Sequence, residues 1–382
     1  MIQFNKNGIS KICVVLIAIL GFSLKSQAQE YYVYVTAESE DEVALIKFDG
    51  EKAWVEETIP VGVWPAEIEG PHGINISPDG KYWYLSLAHG NPYGILYKFS
   101  TETNEVVDTV QLGLFPASLQ VSKATGLLYC VNFNLHGDMV PSTVSVVDPE
   151  EMIEIEKIET GVMPHGSRIS SDGLYHYSVG MMSGELFEIS TAKLKVTRKL
   201  NLDGKEEEMK MDGMDHSTMD HSQMGHSMMT ASQPMYHSAT KPTWAIPHPN
   251  NGKVYVAGNG SDEVLEVDLE KWEITDRFKT GKAPYNCDVT PDGRYLVVTY
   301  KGSGETGIWD LKKKKELPRV KNTRKVTHGV SISSDSKYAF ISVEGIGGEP
   351  GTMDVIDIKN AEKVASVDMG KQAGGIIFWK MD

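Results

Sequence analysis

The sequence predicts an all-β fold: a seven-bladed β-propeller of four-stranded blades, the last closed by the N- and C-terminal strands. Three observations carry this reading. A pattern of strand, tight turn and strand recurs six times along the chain. Two further strand-like stretches follow each copy, so that about 40 residues hold four strands, the size of a propeller blade. The pieces left over at the two ends add up to one more unit.

The copies begin with GPHGINISPDGKYWYLSLA at Gly70, FPASLQVSKATGLLYCVNF at Phe115 and MPHGSRISSDGLYHYSVG at Met163. They continue with KPTWAIPHPNNGKVYVAG at Lys241, APYNCDVTPDGRYLVVTY at Ala283 and VTHGVSISSDSKYAFISV at Val326. Alternating apolar residues mark the first strand and Pro-Asp-Gly or Ser-Asp-Gly the turn. A run rich in Tyr, Val and Leu marks the second strand. Third strands read LYKFSTETN, VSVVDPEEM, LFEISTAKL, VLEVDLEKW, GIWDLKKKK and DVIDIKNAE, and fourth strands close near a glycine, as in EVVDTVQLG and EITDRFKTG. The C-terminal QAGGIIFW reads as a lone first strand. The stretch YYVYVTAESEDEVALIKFDGEKAWVEETIPVG supplies strands two to four of the same blade. Joining the two hides the edges that an open sheet would expose. A row of separate sandwiches gives no reason for so split a unit.

Residues 1–28 stand outside the repeat. Lys6 and Lys11 precede an apolar stretch from Ile12 to Leu24, and the small-residue pattern Ser26-Gln27-Ala28 follows. That is the order of a secretory signal peptide, too short in its apolar part for a good membrane span. The expected plan is therefore a signal at 1–28 and a propeller at 29–382, placed in the periplasm or outside the cell.

The composition fits a folded chain: 382 residues, 41% hydrophobic, with 36 Gly. With 37 basic residues against 52 acidic ones the net charge is −15, which argues against a nucleic acid as partner. Three Cys are too few for a disulfide scaffold, a four-thiolate zinc site or an iron–sulfur protein. Cys13 belongs to the signal, and Cys130 and Cys287 fall in different blades, so two thiols are expected.

On repeats such as GINISPDGKYWYLSL, DVTPDGRYLVVTY and YVAGNGSDEVLEVDL, the chain resembles the YVTN-type seven-bladed β-propellers. These are exported repeat proteins related to the propellers of haem d1 and amine dehydrogenase enzymes. The resemblance covers nearly all of residues 29–382 and implies the fold. It implies little about function, because propellers host many unrelated activities.

A segment at 205–240 interrupts the pattern after the third blade. It carries eight of the 17 Met and four of the 11 His. Three tandem pentads lie inside it, led by Met214 and His216, Met219 and His221, and Met224 and His226; Met228 and Met229 follow. The segment has almost no aliphatic or aromatic residues, so it cannot bury a core of its own. Methionine normally fills cores, and here it sits among Asp, Ser, Gly and His. Thioether sulfur is a soft donor that selects Cu(I), and imidazole accepts Cu(I) or Cu(II). Zinc favours thiolate, imidazole and carboxylate instead. The pattern points to copper and looks like the metal-binding segments of exported copper-resistance proteins. A ligand-free linker and a nickel- or zinc-binding tract are the other readings.

Propeller connectivity puts first-strand starts, second-strand ends and blade-to-blade connections on one rim. The repeats align His72, His165 and His328 at one first-strand position, each followed by Gly, where other blades have Ala117, Thr243 and Tyr285. First strands are innermost, so these imidazoles are expected at the mouth of the central channel. His89 and His136 lie at or just past second-strand ends, and Met181 and Met182 take the matching place in blade three. The alternative is repeat drift, with histidines that only bond a neighbouring blade. His176 and His248 read as structural. Glu67, Glu69, Tyr285, Lys301 and Glu344 also map near the mouth and read as solvated rim. Copper-bearing His rings occur at the propeller mouth in the nitrous oxide reductase family, but that similarity is architectural only.

The expected function is copper sequestration or transfer, with a periplasmic metal donor or acceptor protein as partner. A copper-dependent oxidoreductase and a metal-independent protein- or ligand-binding module are the alternatives. The sequence contains no Cys-x-x-Cys-His haem site, phosphate-cradling Gly loop, serine nucleophile elbow or His-Glu-x-x-His helix.

Overall fold

The structure is a computed structural model that describes residues 29–63, 67–88, 93–204 and 236–382. The signal-like segment, His89, and the insert through Met235 lie outside those residues, and with them Met214, His216, Met219, His221, Met224, His226, Met228 and Met229. No helix among the described residues is long and apolar enough to cross a membrane.

Seven antiparallel sheets stand in a ring. Blade one runs outward through Pro71–Ile76, Tyr82–Leu87, Ile95–Ser100 and Val106–Gln111. First strands of the next five blades lie at Pro116–Val121, Pro164–Ile169, Pro242–Pro247, Pro284–Val289 and Val326–Ile332. In the seventh, Ala373–Met381 pairs with Tyr31–Ala37, which leads on to Glu42–Phe48 and Ala53–Pro60. Each first strand packs on the next around the circle, and the last returns to Pro71–Ile76. The split blade expected from the sequence is the closure observed. In blade five Pro318, which has no N–H, lies between Lys315–Glu316 and Val320–Lys321 and breaks the outer strand in two.

Burial follows position in the blade. The two inner strands are nearly all buried, whereas outer strands such as Lys195–Asn201 alternate exposed and half-buried. Apolar side chains fill the wedges between blades. Tyr34 of blade seven stacks on Trp83 of blade one at 5.2 Å, and Trp83 on Phe99 at 3.8 Å. The tight turns are held by their own side chains: Ser77 donates to Asp79 at 2.6 Å, and Asp79 accepts the Lys81 N–H. Gly80 supplies the left-handed residue at φ 73°, and Ser336 holds that place in blade six at φ 62°.

One irregularity recurs near the start of every first strand. Pairing slips between Pro71 and Ile74, Pro116 and Leu119, Pro164 and Ser167, Pro242 and Trp244, Pro284 and Cys287, and Thr327 and Val330. Blade seven has the matching slip opposite Thr36. Such a bulge bends the strand and re-aims its side chains. The His-Gly pairs sit here. A Cβ on Gly73 would lie 1.9 Å from the Ala117 carbonyl oxygen, and one on Gly375 would lie 2.0 Å from that of His72. Adjacent inner strands come too close for any larger residue.

Polar latches tie these strands together. Ser86, Thr299 and Ser342 hydroxyls accept the N–H of a bulge residue and donate to the next blade's Ala117, His328 and Gly374 carbonyls. Where Val131, Val179 and Ala257 replace the hydroxyl, the first strand makes the link itself. Ser118 reaches the His165 carbonyl, His165 that of Thr243, and Thr243 that of Tyr285. Replacing Ser342 by Ala orphans both the Gly329 N–H and the Gly374 oxygen. A loss of about 1–3 kcal/mol is expected, read from the urea midpoint.

Candidate functional site at the propeller mouth

The bulged strand starts bring His72, His165 and His328 to one place. Ring centroids lie 5.8 Å apart for His72 and His165, and 6.1 Å apart for His72 and His328. Tyr285, fourth in this tier, stands 4.7 Å from His328 and 5.2 Å from His165. His165 and His328 are buried.

Hydrogen bonds fix the rings. His72 Nδ1 lies 2.7 Å from Glu38 Oε1, and His165 Nδ1 lies 3.1 Å from the Thr243 carbonyl. An Nδ1–H given to an outer oxygen leaves Nε2 as the lone-pair nitrogen, the arrangement that commonly orients metal-binding imidazoles. On His165 that nitrogen accepts the Tyr285 hydroxyl at 3.0 Å. His328 has a buried Nδ1 near the Gly374 carbonyl, and its Nε2 is 3.8 Å from Glu344. Lys301 pairs with Glu344 at 3.0 Å and lies over the Tyr285 ring at 4.3 Å.

Burial sets the charge states. It pushes His165 down to about 3, helped by the neighbouring His72. It also holds His328 well below the ordinary histidine range, with Lys301 adding to the effect. The Glu344 carboxyl is raised by burial, partly offset by Lys301, and desolvation by its neighbours keeps the half-buried Tyr285 phenol well above its usual range. His165 and His328 are neutral at pH 7, as a ligand imidazole must be.

A second layer surrounds this cluster. Phe115 meets His72 edge-on at 5.4 Å and the exposed His136 at 6.0 Å, while Phe133 meets His165 at 4.7 Å. Met181 and Met182 are half-buried against the apolar cluster that includes Phe115, Phe133 and Met163, the kind of place methionine commonly fills. Tyr236, the first described residue at the C-terminal end of the insert, packs on the same cluster. Asp203 accepts the Ser238 hydroxyl at 3.1 Å and the Thr240 N–H at 2.7 Å. The two ends of the insert are thus clamped together on the rim.

Among the described residues, no group of three or more His, Cys, Asp or Glu side chains is set to hold one metal ion. His72, His165 and His328 converge, yet His165 has both nitrogens in hydrogen bonds to the protein. The solvated-rim expectation fails for Glu69, Tyr285, Lys301 and Glu344. Glu69 is buried, and the other three form the network around the imidazoles. Glu67 is exposed. Sequence reasoning missed Glu38, although it follows the second strand of blade seven where Lys301 follows that of blade five. His176 is buried on Tyr129 at 5.4 Å, and His248 bonds the Gly293 carbonyl at 2.9 Å across a turn. Cys130 and Cys287 are buried free thiols.

Comparison with known proteins adds a fold likeness. No protein-family model matches the chain, and no curated protein matches it. A solved structure of hydrazine synthase from Kuenenia stuttgartiensis superposes with a TM-score of 0.57 at 19% identity, over 78% of this chain and 81% of that one. At this identity the likeness concerns the fold alone, and it agrees with the ring of blades.

Proposed function

We propose that the protein is an exported copper-binding propeller that sequesters copper or hands it on in the periplasm. The Met/His insert is the collector. Its thioethers and imidazoles, from Met214 and His216 through Met229, suit Cu(I), and its aspartates tolerate Cu(II). The observation that carries this reading is where the insert is anchored. Asp203 clamps its ends, and Tyr236 beside it lies on the aromatic cluster that backs His72 and His165.

Copper is cargo in this reading. The mouth is a transfer point: the Nδ1 atoms of His72 and His165 tied to outer oxygens orient Nε2 toward an ion, and the Tyr285 hydroxyl on His165 Nε2 competes with it, which suits brief holding. Sequestration needs no open coordination position, whereas catalysis does. A periplasmic donor or acceptor of copper is the partner this implies.

The test replaces residues 205–235 with a short Gly-Ser linker and measures Cu(I) retained against a chelator of known affinity. The variant should keep the fold and lose most of the bound copper. If it retains the parent's copper, the insert is not the collector.

A further inference from the structure

Among and below the imidazoles the central channel holds a small space in which the centres of water molecules can range over about 30 Å³. Its polar lining is unusual for a structural void. Arg168, three residues deeper than His165, faces it with its guanidinium stacked 4.5 Å over the Trp244 ring. Among the described residues, that guanidinium makes one hydrogen bond, from Nη1 to the Ser167 carbonyl at 2.9 Å. No carboxylate lies within ion-pair distance of it among the described residues; the nearest influence, Asp288, is itself pushed up to about 6 by burial. Arg168 is half-buried, and a largely desolvated cation without a carboxylate partner is costly.

Two more polar atoms of residues lining this space, Trp244 Nε1 and Asn286 Oδ1, are without partners among the described residues. Their residues are 7% and 5% exposed. Native structures leave few such groups unsatisfied, and a cluster of them around one cavity marks the place of an absent partner. The Asn286 amide presents N–H donors when turned over. The remaining wall is apolar, formed by Ile74, Leu119 and Ile376.

We propose that this cavity is a binding site for a small monocarboxylate. The carboxylate takes the Arg168 fork and the Trp244 N–H, and a short apolar tail lies against Ile74, Leu119 and Ile376. One cation matches one negative charge. A phosphate dianion brings a second charge into a space whose histidines, His165 and His328, are neutral. The space is far smaller than an ordinary ligand pocket, so it admits only a ligand of a few heavy atoms. His72, His165 and His328 line this space too, so binding is measured on copper-free protein.

The experiment is calorimetric titration of the purified, chelator-treated protein with propionate, and separately with inorganic phosphate. Propionate should bind saturably at one site. Arg168→Gln should weaken it tenfold or more and Trp244→Phe, which keeps the ring under the guanidinium, about fivefold. Phosphate should bind at least tenfold more weakly. Thermal unfolding of each variant identifies any that fail to fold, and the other then decides. Absence of saturable propionate binding, equal affinity in a folded variant, or phosphate bound as tightly as propionate each overturns the proposal.

Discussion

A chain ending at Gln372 is expected to lose cooperative folding. The strand Ala373–Met381 is the inner strand of blade seven and touches the first strands of blades one and six. Its removal strips Ile376 from the core, Phe378 from its 6.1 Å stack on Phe340, and Trp379 from Tyr34 at 5.6 Å. It also bares the edge of Tyr31–Ala37 for pairing with other chains. At about 1.5–3 kcal/mol for each large apolar side chain, the loss approaches the whole stability of a typical domain. Near-UV circular dichroism and size-exclusion chromatography should show an expanded or aggregated state, and a peptide spanning 370–382 added in trans should restore the native signal. A truncated protein that melts where the parent does contradicts the closure.

Acidification should destabilise the fold well above the range where carboxylates titrate. His165 and His176 are held at about 3 by burial, against about 6.5 in an unfolded chain, and His328 is lowered too. Between those values the unfolded chain binds protons that the folded one refuses, so stability is complete above pH 6.5 and falls as pH drops toward 3. Asp288, raised to about 6, and Glu344 act in the opposite sense, because the folded state favours their protonation. His165 and His176 against Asp288 leave about one net proton, worth about 3 kcal/mol over two pH units. Urea unfolding at pH 6.5 and 4.5 measures it. His176→Phe is the diagnostic variant: the ring lies against Tyr129 and neither nitrogen has a partner. It should flatten the slope by about one proton and leave the mouth untouched. An unchanged slope in that variant means that His176 is not held neutral.

The fold was legible because propeller repeats write their geometry into short, local signals. The Pro-Asp-Gly and Ser-Asp-Gly turns, the alternating inner strands and the split terminal unit depend on neighbours in sequence, and each reappears in the ring. The convergence of His72, His165 and His328 followed from connectivity alone. What the repeats hid was the chemistry between blades. Glu38 is bound to His72 from 34 residues away, and Tyr285 to His165 from 120. Arg168 reads as an ordinary strand residue until the bulges place it in the channel. The aligned rim position that yields Lys301 and Glu344 also yields Glu38, so that residue was within reach of the alignment. Burial of Glu69 was not, because it depends on its contacts with Asp41 and Val63. Met181 and Met182 show the converse: thioethers near a suspected metal site that pack on the apolar cluster of Phe115 and Phe133.

The central claim is that soft donors in the insert hold copper beside the mouth. X-ray absorption at the copper edge, on protein loaded with one equivalent of Cu(I), tests it most directly. Sulfur and nitrogen should both appear in the first coordination shell, and the sulfur should vanish when residues 205–235 are removed. A shell of nitrogen and oxygen alone in the parent, or a spectrum unchanged by the deletion, contradicts the account.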